Sequence, residues 1–199
     1  MLLGAVGAGD VAANSERLVA LAADHDRRRR GPIYLTGFMG AGKTAVGKRL
    51  AQRLGLPFVD LDREIENHSG QTIPDLFRER GEPGFRALES ELLASHGGAA
   101  RSVIATGGGV VERSPNIATM LATGRVLWLD VPFDTLLIRL ARSKDERPLF
   151  RDPVQAQRLY ESRLDAYARC DMKIAVEPSW SADHVAGLAE RLLRESCVI

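Results

Sequence analysis

Only two cysteines occur in 199 residues, Cys170 and Cys197, and neither stands in a CxxC or Cys/His spacing. Neither a disulfide framework nor a structural zinc site therefore accounts for the fold, and a reducing cytoplasm is the expected setting. Charge of one sign is missing as well. Lys plus Arg number 27 against 26 for Asp plus Glu, a formal net charge of +1, so there is no global reason to expect nucleic acid or an anionic membrane as partner. Any anion site must be local. No apolar run approaches the roughly 18 residues needed to cross a bilayer, and residues 1–10 lack the positive start and long apolar centre of a secretory signal. Internal repeats and low-complexity tracts are absent too. What remains is an ordinary globular composition, 45% apolar, long enough for one domain with appendages.

From residue 31 onward, short β-rich runs alternate with longer helical patterns. Strands are expected at 33–37, 57–60, 102–106, 126–131 and 173–176. Several are continuously apolar instead of alternating, as parallel strands covered on both faces are. Helices are expected at about 42–54, 63–68, 73–80, 84–95, 116–122, 132–141, 153–170 and 182–195. This βαβ rhythm predicts an α/β fold with a parallel sheet between two helical layers. Residues 1–30 read as an extension, partly helical over 15–30 or disordered, too short for a domain of its own. It ends in four arginines, Arg27 to Arg30, which read as a solvated linker in preference to a nucleic-acid patch.

The stretch Gly37 to Thr44, GFMGAGKT, matches G-x-x-x-x-G-K-[ST] in full, with an apolar strand before it and a helical pattern after it. Gly37, Gly40 and Gly42 let successive backbone N–H groups converge on an anion, and the positive end of the following helix points at the same place. Gly40, Ala41, Gly42, Lys43, Thr44 and Ala45 are thus the candidate nucleotide-binding residues. Lys43 would bridge β- and γ-phosphates, and the Thr44 hydroxyl would help hold Mg²⁺. A dinucleotide site is the nearest competitor, but a pyrophosphate needs neither that lysine nor that hydroxyl.

FVDLDREIE places Asp60 and Asp62 at the carboxyl end of the second strand, where α/β sheets bind ligands. Period-two spacing sends both side chains to one side while the strand persists. One could orient Mg²⁺ through a water and the other accept a proton from an attacking hydroxyl. Asp62 could also serve as the N-cap of the helix expected at 63–68.

Four further stretches follow in order: GQTIPDLFRERGEPGFRALE from Gly70, TGGG from Thr106, RPLF from Arg147 and YESRLDAY from Tyr160. With the phosphate loop and the Asp-x-Asp they resemble the shikimate kinase family, small P-loop kinases of the nucleoside-monophosphate-kinase type, from residue 31 to about 193. The resemblance implies a five-stranded sheet of order 2-3-1-4-5, a substrate-binding segment at about 62–95 and a lid at about 143–154, within a domain spanning 31–199. It implies transfer of the γ-phosphoryl of ATP to the 3-hydroxyl of shikimate with Mg²⁺, on the route to chorismate and the aromatic amino acids, by a monomer. Asp62 would then be the candidate base and Asp60 would sit near the metal. Arg86 and Arg163 would grip the substrate carboxylate, and Gly107, Gly108 and Gly109 would line its pocket. Arg147 in the lid would reach over the phosphates and join Lys43 and Asp62 in catalysis, while Arg142 would stack on adenine.

The residues support these roles on their own chemistry. A planar bidentate guanidinium suits a carboxylate better than lysine does. Three glycines after an apolar strand allow backbone to approach a ligand where a Cβ would intrude. The polar, proline-bounded RSKDERPLFRDP is a surface-loop composition. The plain alternatives are an i,i+3 ion pair of Arg86 with Glu89, a solvated Arg163 and a flexible glycine turn. Departures from the family pattern are Ala45, where many relatives carry a hydroxyl, and Phe150, where leucine is usual. Two other functions compete: a related small-molecule kinase of the gluconate type, and a ligand-sensing domain of a regulator.

Overall fold

The structure is a computed structural model, which describes residue 23 and residues 26–141 and 152–196. Five strands form one sheet: β1 (Ile33–Thr36), β2 (Phe58–Asp60), β3 (Val103–Ala105), β4 (Arg125–Asp130) and β5 (Met172–Ala175). All neighbours run parallel, in the order β2-β3-β1-β4-β5. The central strands are the continuously apolar ones, as burial on both faces requires. Ile33, Tyr34, Leu35, Val103, Ile104, Val126 and Leu127 are fully buried.

Among the described residues, helices α1 (Lys43–Leu54), α2 (Leu61–Ser69), α3 (Ile73–His96), α4 (Ser114–Thr123), α5 (Phe133–Ala141), α6 (Pro153–Tyr167) and α7 (Ala182–Glu195) connect and flank the strands. Right-handed crossovers assign their layers. The step from β1 to β2 runs one way along the sheet and puts α1 on one face. Every later step runs the other way and puts α2 to α6 on the opposite face. Packing agrees, since α1 lies against α7 and α3 lies against both α2 and α4. The α/β sandwich and its strand order are thus as expected from the sequence.

Local chemistry sets the boundaries. Gly47 of α1 faces the Phe58 ring so closely that a Cβ there would lie 2.5 Å from it, which brings the helix down onto β2. Side-chain caps start three helices: Thr72 accepts from the Asp75 amide, Asp152 from the Val154 and Gln155 amides, and Ser181 from the His184 amide. The two helices expected at 73–80 and 84–95 are both present within α3 and meet at a kink at Gly81, whose φ of 66° and ψ of 177° are not helical and turn the chain just before Pro83. A short 3₁₀ turn, Val110–Glu112, follows the glycine turn after β3 and has no periodic signal in the sequence.

Of the extension, residues 26–30 are helical. Arg28 is not a solvated charge. Its guanidinium pairs with Asp171 and donates to the Gly124 carbonyl, and Asp171 also accepts the Val126 amide of β4. The linker reading therefore fails at Arg28, because a carboxylate at the entry to β5 lies within its reach. Burial pushes the Cys170 thiol up to about 12, so it is a packing group and not a nucleophile. No described helix is long and apolar enough to cross a membrane.

Candidate active site

The phosphate loop joins β1 to α1 at the carboxyl edge of the sheet. Gly40 and Gly42 have φ of 80° and 91°, values that any side chain would resist, and Gly42 is the residue from which α1 starts. No side chain caps that start, so the first amides of α1 are presented for an anion to take. Lys43 lies back along the loop, donating to the carbonyls of Gly37 at 2.7 Å and Phe38 at 3.1 Å. Thr44 donates its hydroxyl to Asp60 Oδ2 at 2.8 Å.

That last bond corrects the reading of the two aspartates. The strand ends at Asp60 and α2 begins at Leu61, so the period-two argument does not reach Asp62, which lies in the first helical turn. Nor is Asp62 the N-cap. Asp60 holds that position, yet makes no capping bond, its carboxylate being engaged with Thr44. The two acids therefore diverge. Asp60 faces the phosphate loop, and Asp62 faces the glycine turn after β3.

The glycine turn is where the expected residues meet. A Cβ on Gly107 would lie 2.9 Å from Asp62 Oδ1 and 2.8 Å from Glu89 Oε1, and one on Gly108 would lie 3.1 Å from the Met39 amide of the phosphate loop. A Cβ on Gly109 would fall inside the Arg86 guanidinium. All three glycines are needed for contact, not for unusual φ, since none has a positive value. Tyr167, fully buried at the end of α6, donates its hydroxyl to the Gly108 carbonyl and pins the turn from behind.

Arg86 is mostly buried, with 13% of its side chain exposed, and is ringed by carboxylates: Glu89 at 2.9 Å, Glu112 at 3.0 Å and Glu82 at 3.3 Å. Burial penalises its charge, but Glu89, Glu112 and Glu82 outweigh that and hold its pKa above the usual value. The simple i,i+3 pair is thus present, within a larger cluster. Glu89 is wholly buried; burial raises its pKa, Arg86 partly offsets this, and Asp62 and Glu112 add to the rise. Arg163 is not the solvated residue that the charge-rich helix suggests, being 5% exposed on α6. It pairs with Glu112 at 2.6 Å and stands 5.4 Å over the Phe38 ring. Among the described residues, Glu89 Oε1 and Arg163 Nη1 are buried with no hydrogen-bond partner.

Beside the phosphate loop a cleft of about 280 Å³ is lined by Gly40, Ala41, Gly42, Ala45 and Val46 on one side. Arg139 of α5, Val176, Trp180 and Val185 line the other. It is largely apolar, with one guanidinium and one indole. Arg142 and Arg147 lie outside the described residues. Arg139, Glu89, Glu112 and Trp180 are site residues that the sequence reading passed over. Only Glu89, three residues from Arg86, had a local signal.

Comparison with known proteins places this geometry. Residues 39–192 match the family model described as shikimate kinase. A shikimate kinase of Persephonella marina is 44% identical over 146 residues, covering 73% of this chain and 88% of that protein. The structure of a shikimate kinase from Acinetobacter baumannii in complex with shikimate superposes with a TM-score of 0.80 at 33% identity, over 88% of this chain and 99% of that one. The Aquifex aeolicus shikimate kinase structure gives 0.75 at 33% identity, over 84% and 98%.

Proposed function

Because the chain belongs to the shikimate kinase family, we propose that it transfers the γ-phosphoryl group of ATP to the 3-hydroxyl of shikimate, yielding shikimate 3-phosphate and ADP. The observation that carries this reading is the glycine turn 107–109. It stands within contact distance of the Met39 amide, Asp62 and Arg86 at once, so a phosphate cradle, a proton acceptor and a carboxylate grip share one place.

In this reading the triphosphate takes the amides at the start of α1. Lys43 swings from the Gly37 and Phe38 carbonyls to the β- and γ-phosphates. The apolar cleft receives the adenine, with Arg139 and Trp180 offering flat faces for stacking. Arg86 and Arg163 hold the acid's carboxylate as a two-sided fork. Asp62 accepts the proton of the attacking hydroxyl as the new O–P bond forms and the bond to the β-phosphate oxygen breaks. Positioning and charge stabilisation supply most of the acceleration in such transfers.

Thr44 and Asp60 fit a hard cation. They are two oxygen donors in mutual contact beside the phosphate loop, while no described group of three or more His, Cys, Asp or Glu is placed to cage a metal. That pattern suits Mg²⁺ held mainly by phosphate oxygens and water. Thr44 would ligate it directly and Asp60 through a water; the ion would neutralise charge on the β- and γ-oxygens. Arg147, assigned from sequence alone, would reach over the phosphates from a lid at about 143–154, Arg142, likewise assigned from sequence alone, would stack on adenine, and 62–95 would form the acceptor segment of the domain at 31–199. Likeness to the family favours a working monomer, and an ATP requirement with a free Cys170 suits the cytoplasm.

The test is ADP release with shikimate, quinate, gluconate and nucleoside monophosphates in turn. Nucleoside monophosphates bring no carboxylate to the buried arginines and should be at least about a hundredfold poorer than shikimate in kcat/KM; quinate and gluconate keep the carboxylate, so shikimate is preferred over them only by the placement of its hydroxyls against Asp62 and the glycine turn. Equal turnover of gluconate would overturn the assignment.

A further inference from the structure

We propose that Glu112 is an internal competitor for the acid's carboxylate and that it sets how tightly the acceptor binds. The inference rests on the reading of Arg86 and Arg163 as the carboxylate grip. Glu112 Oε1 accepts from Arg163 Nε at 2.8 Å and pairs with its Nη2 at 2.6 Å, while Oε2 accepts from Arg86 Nη2 at 3.0 Å. One carboxylate oxygen for each guanidinium is the arrangement an incoming acid needs.

Little else is left on offer. Arg86 Nη1 is given to Glu89, and its Nε to Glu82. The two N–H groups of Arg163 Nη1 have no partner among the described residues, but that nitrogen is buried and not presented to solvent. Each guanidinium has five N–H donors, and Glu112 engages Arg86 Nη2 together with Arg163 Nε and Nη2, so it bridges the two. A further carboxylate arriving while Glu112 stays would also join Asp62, Glu82, Glu89 and Glu112 around two positive charges. The acid and Glu112 therefore exclude each other.

Glu112 is built to yield. It closes the 3₁₀ turn Val110–Glu112, whose Val110 and Val111 are anchored at 0% and 1% exposure, whereas its own side chain is 32% exposed. Rotation about its side-chain bonds carries the carboxylate into water without moving the glycine turn. Glu89 cannot do the same, being wholly buried. The division of labour is that Glu89 fixes Arg86 and Glu112 keeps the fork closed until an acid takes its place.

A clamp that merely holds the two arginines in position is the rival role, and it predicts the opposite sign. The experiment measures shikimate binding by calorimetry on the full chain, wild type against Glu112→Gln and Glu112→Ala. If Glu112 occupies the fork about nine-tenths of the time, its removal should tighten acid binding roughly tenfold, because apparent affinity is lowered by the fraction of competent molecules. The methyl ester of shikimate, which offers the fork no charge, should show no such gain. Glu112→Asp, one methylene shorter, should fall between wild type and Glu112→Gln. Unchanged or weaker acid binding in both neutral variants overturns the competitor role. Arg163→Ala, run alongside, separates the two layers. If it weakens acid binding while Glu112→Gln gains nothing, only the competitor is lost; if it leaves acid binding intact, the carboxylate grip fails and the competitor with it.

Discussion

Replacing Gly107 by alanine tests the convergence with a single methyl group. Gly107 does not have a positive φ, so alanine brings no backbone strain and the effect is contact alone. The new Cβ would lie 2.8 Å from Glu89 Oε1 and 2.9 Å from Asp62 Oδ1, short by 0.6 and 0.5 Å of the 3.4 Å at which ordinary contact begins. Glu89 cannot retreat, since it is wholly buried and tied to Arg86 at 2.9 Å. Asp62 is half-buried and sits at a helix start, so it gives way.

A misplacement of 1 Å at a reacting group costs about a hundredfold, so about 0.5 Å should lower kcat roughly tenfold. Stability should change by a comparable amount, since tenfold in rate is about 1.4 kcal/mol. Overpacking costs about 1–3 kcal/mol, and the loss of glycine's freedom in the unfolded chain returns about 0.4–1 kcal/mol. A net loss of about 1–2 kcal/mol corresponds to a fall of about 2–8 °C in Tm for a domain of this size. Steady-state ADP release and a thermal melt read the two effects separately. Turnover within twofold of wild type, in a folded variant, would show that Asp62 does not face the turn as described, and the proton-acceptor role would fall with it.

Other substitutions divide the site by function. Asp62→Asn should lower kcat by about 10²–10⁴ while nucleotide affinity, measured by equilibrium binding, stays near wild type; a small loss of rate would move the base elsewhere. Arg139→Ala should raise KM for ATP by about 5–30-fold, the equivalent of 1–2 kcal/mol of stacking, with little effect on the acid's KM. Glu89→Gln should change how stability depends on pH. Burial raises the folded Glu89 pKa above its unfolded value, so between the two values the folded state holds a proton that the unfolded chain has released. Stability then falls as pH rises through that window, and the cost is fully present above the folded value. The stability of wild type relative to Glu89→Gln should therefore decline with rising pH across the window; a difference independent of pH would contradict the raised value.

The architecture was legible because its signals are local. Continuous apolar runs mark strands buried on both faces, and the spacing Gly37, Gly42, Lys43, Thr44 marks the turn into α1 whatever lies around it. The arginine partners were hidden for a physical reason. Glu112 lies 26 residues from Arg86 and 51 from Arg163, on a 3₁₀ turn that has no periodicity of its own. Nothing in the local sequence tells such a carboxylate from a solvated one. Arg139 and Trp180 were missed likewise, since the cleft they line exists only when α5, α7 and the phosphate loop come together. Asp60 and Asp62 were read as a same-side pair because a strand was assumed to continue, whereas the chain turns helical one residue after Asp60 and splits them between two neighbours.

Strand register explains why these scattered residues meet. Asp60 pairs with Ala105, and Leu35 pairs with the same Ala105, so the ends of β2, β3 and β1 are level. Two residues onward on each chain stand Asp62, Gly107 and Gly37, and the next glycine, Gly108, reaches the Met39 amide. The ladder thus brings acid and glycine turn level, and the helix start at Leu61 and the turn after Ala105 complete the contact. Shifting β2 by one residue against β3 would also turn its side chains over, because they alternate along a strand. Asp60 would leave Thr44, and Asp62 would leave Gly107, in a single step. A core that tolerates only one register thereby fixes the distance between the phosphate loop and the proton acceptor. Core substitutions beneath this junction that touch neither substrate, such as Ile104→Ala, should then lower kcat by more than they raise either KM. An equal change in all three constants would show that the loops hold the site by themselves.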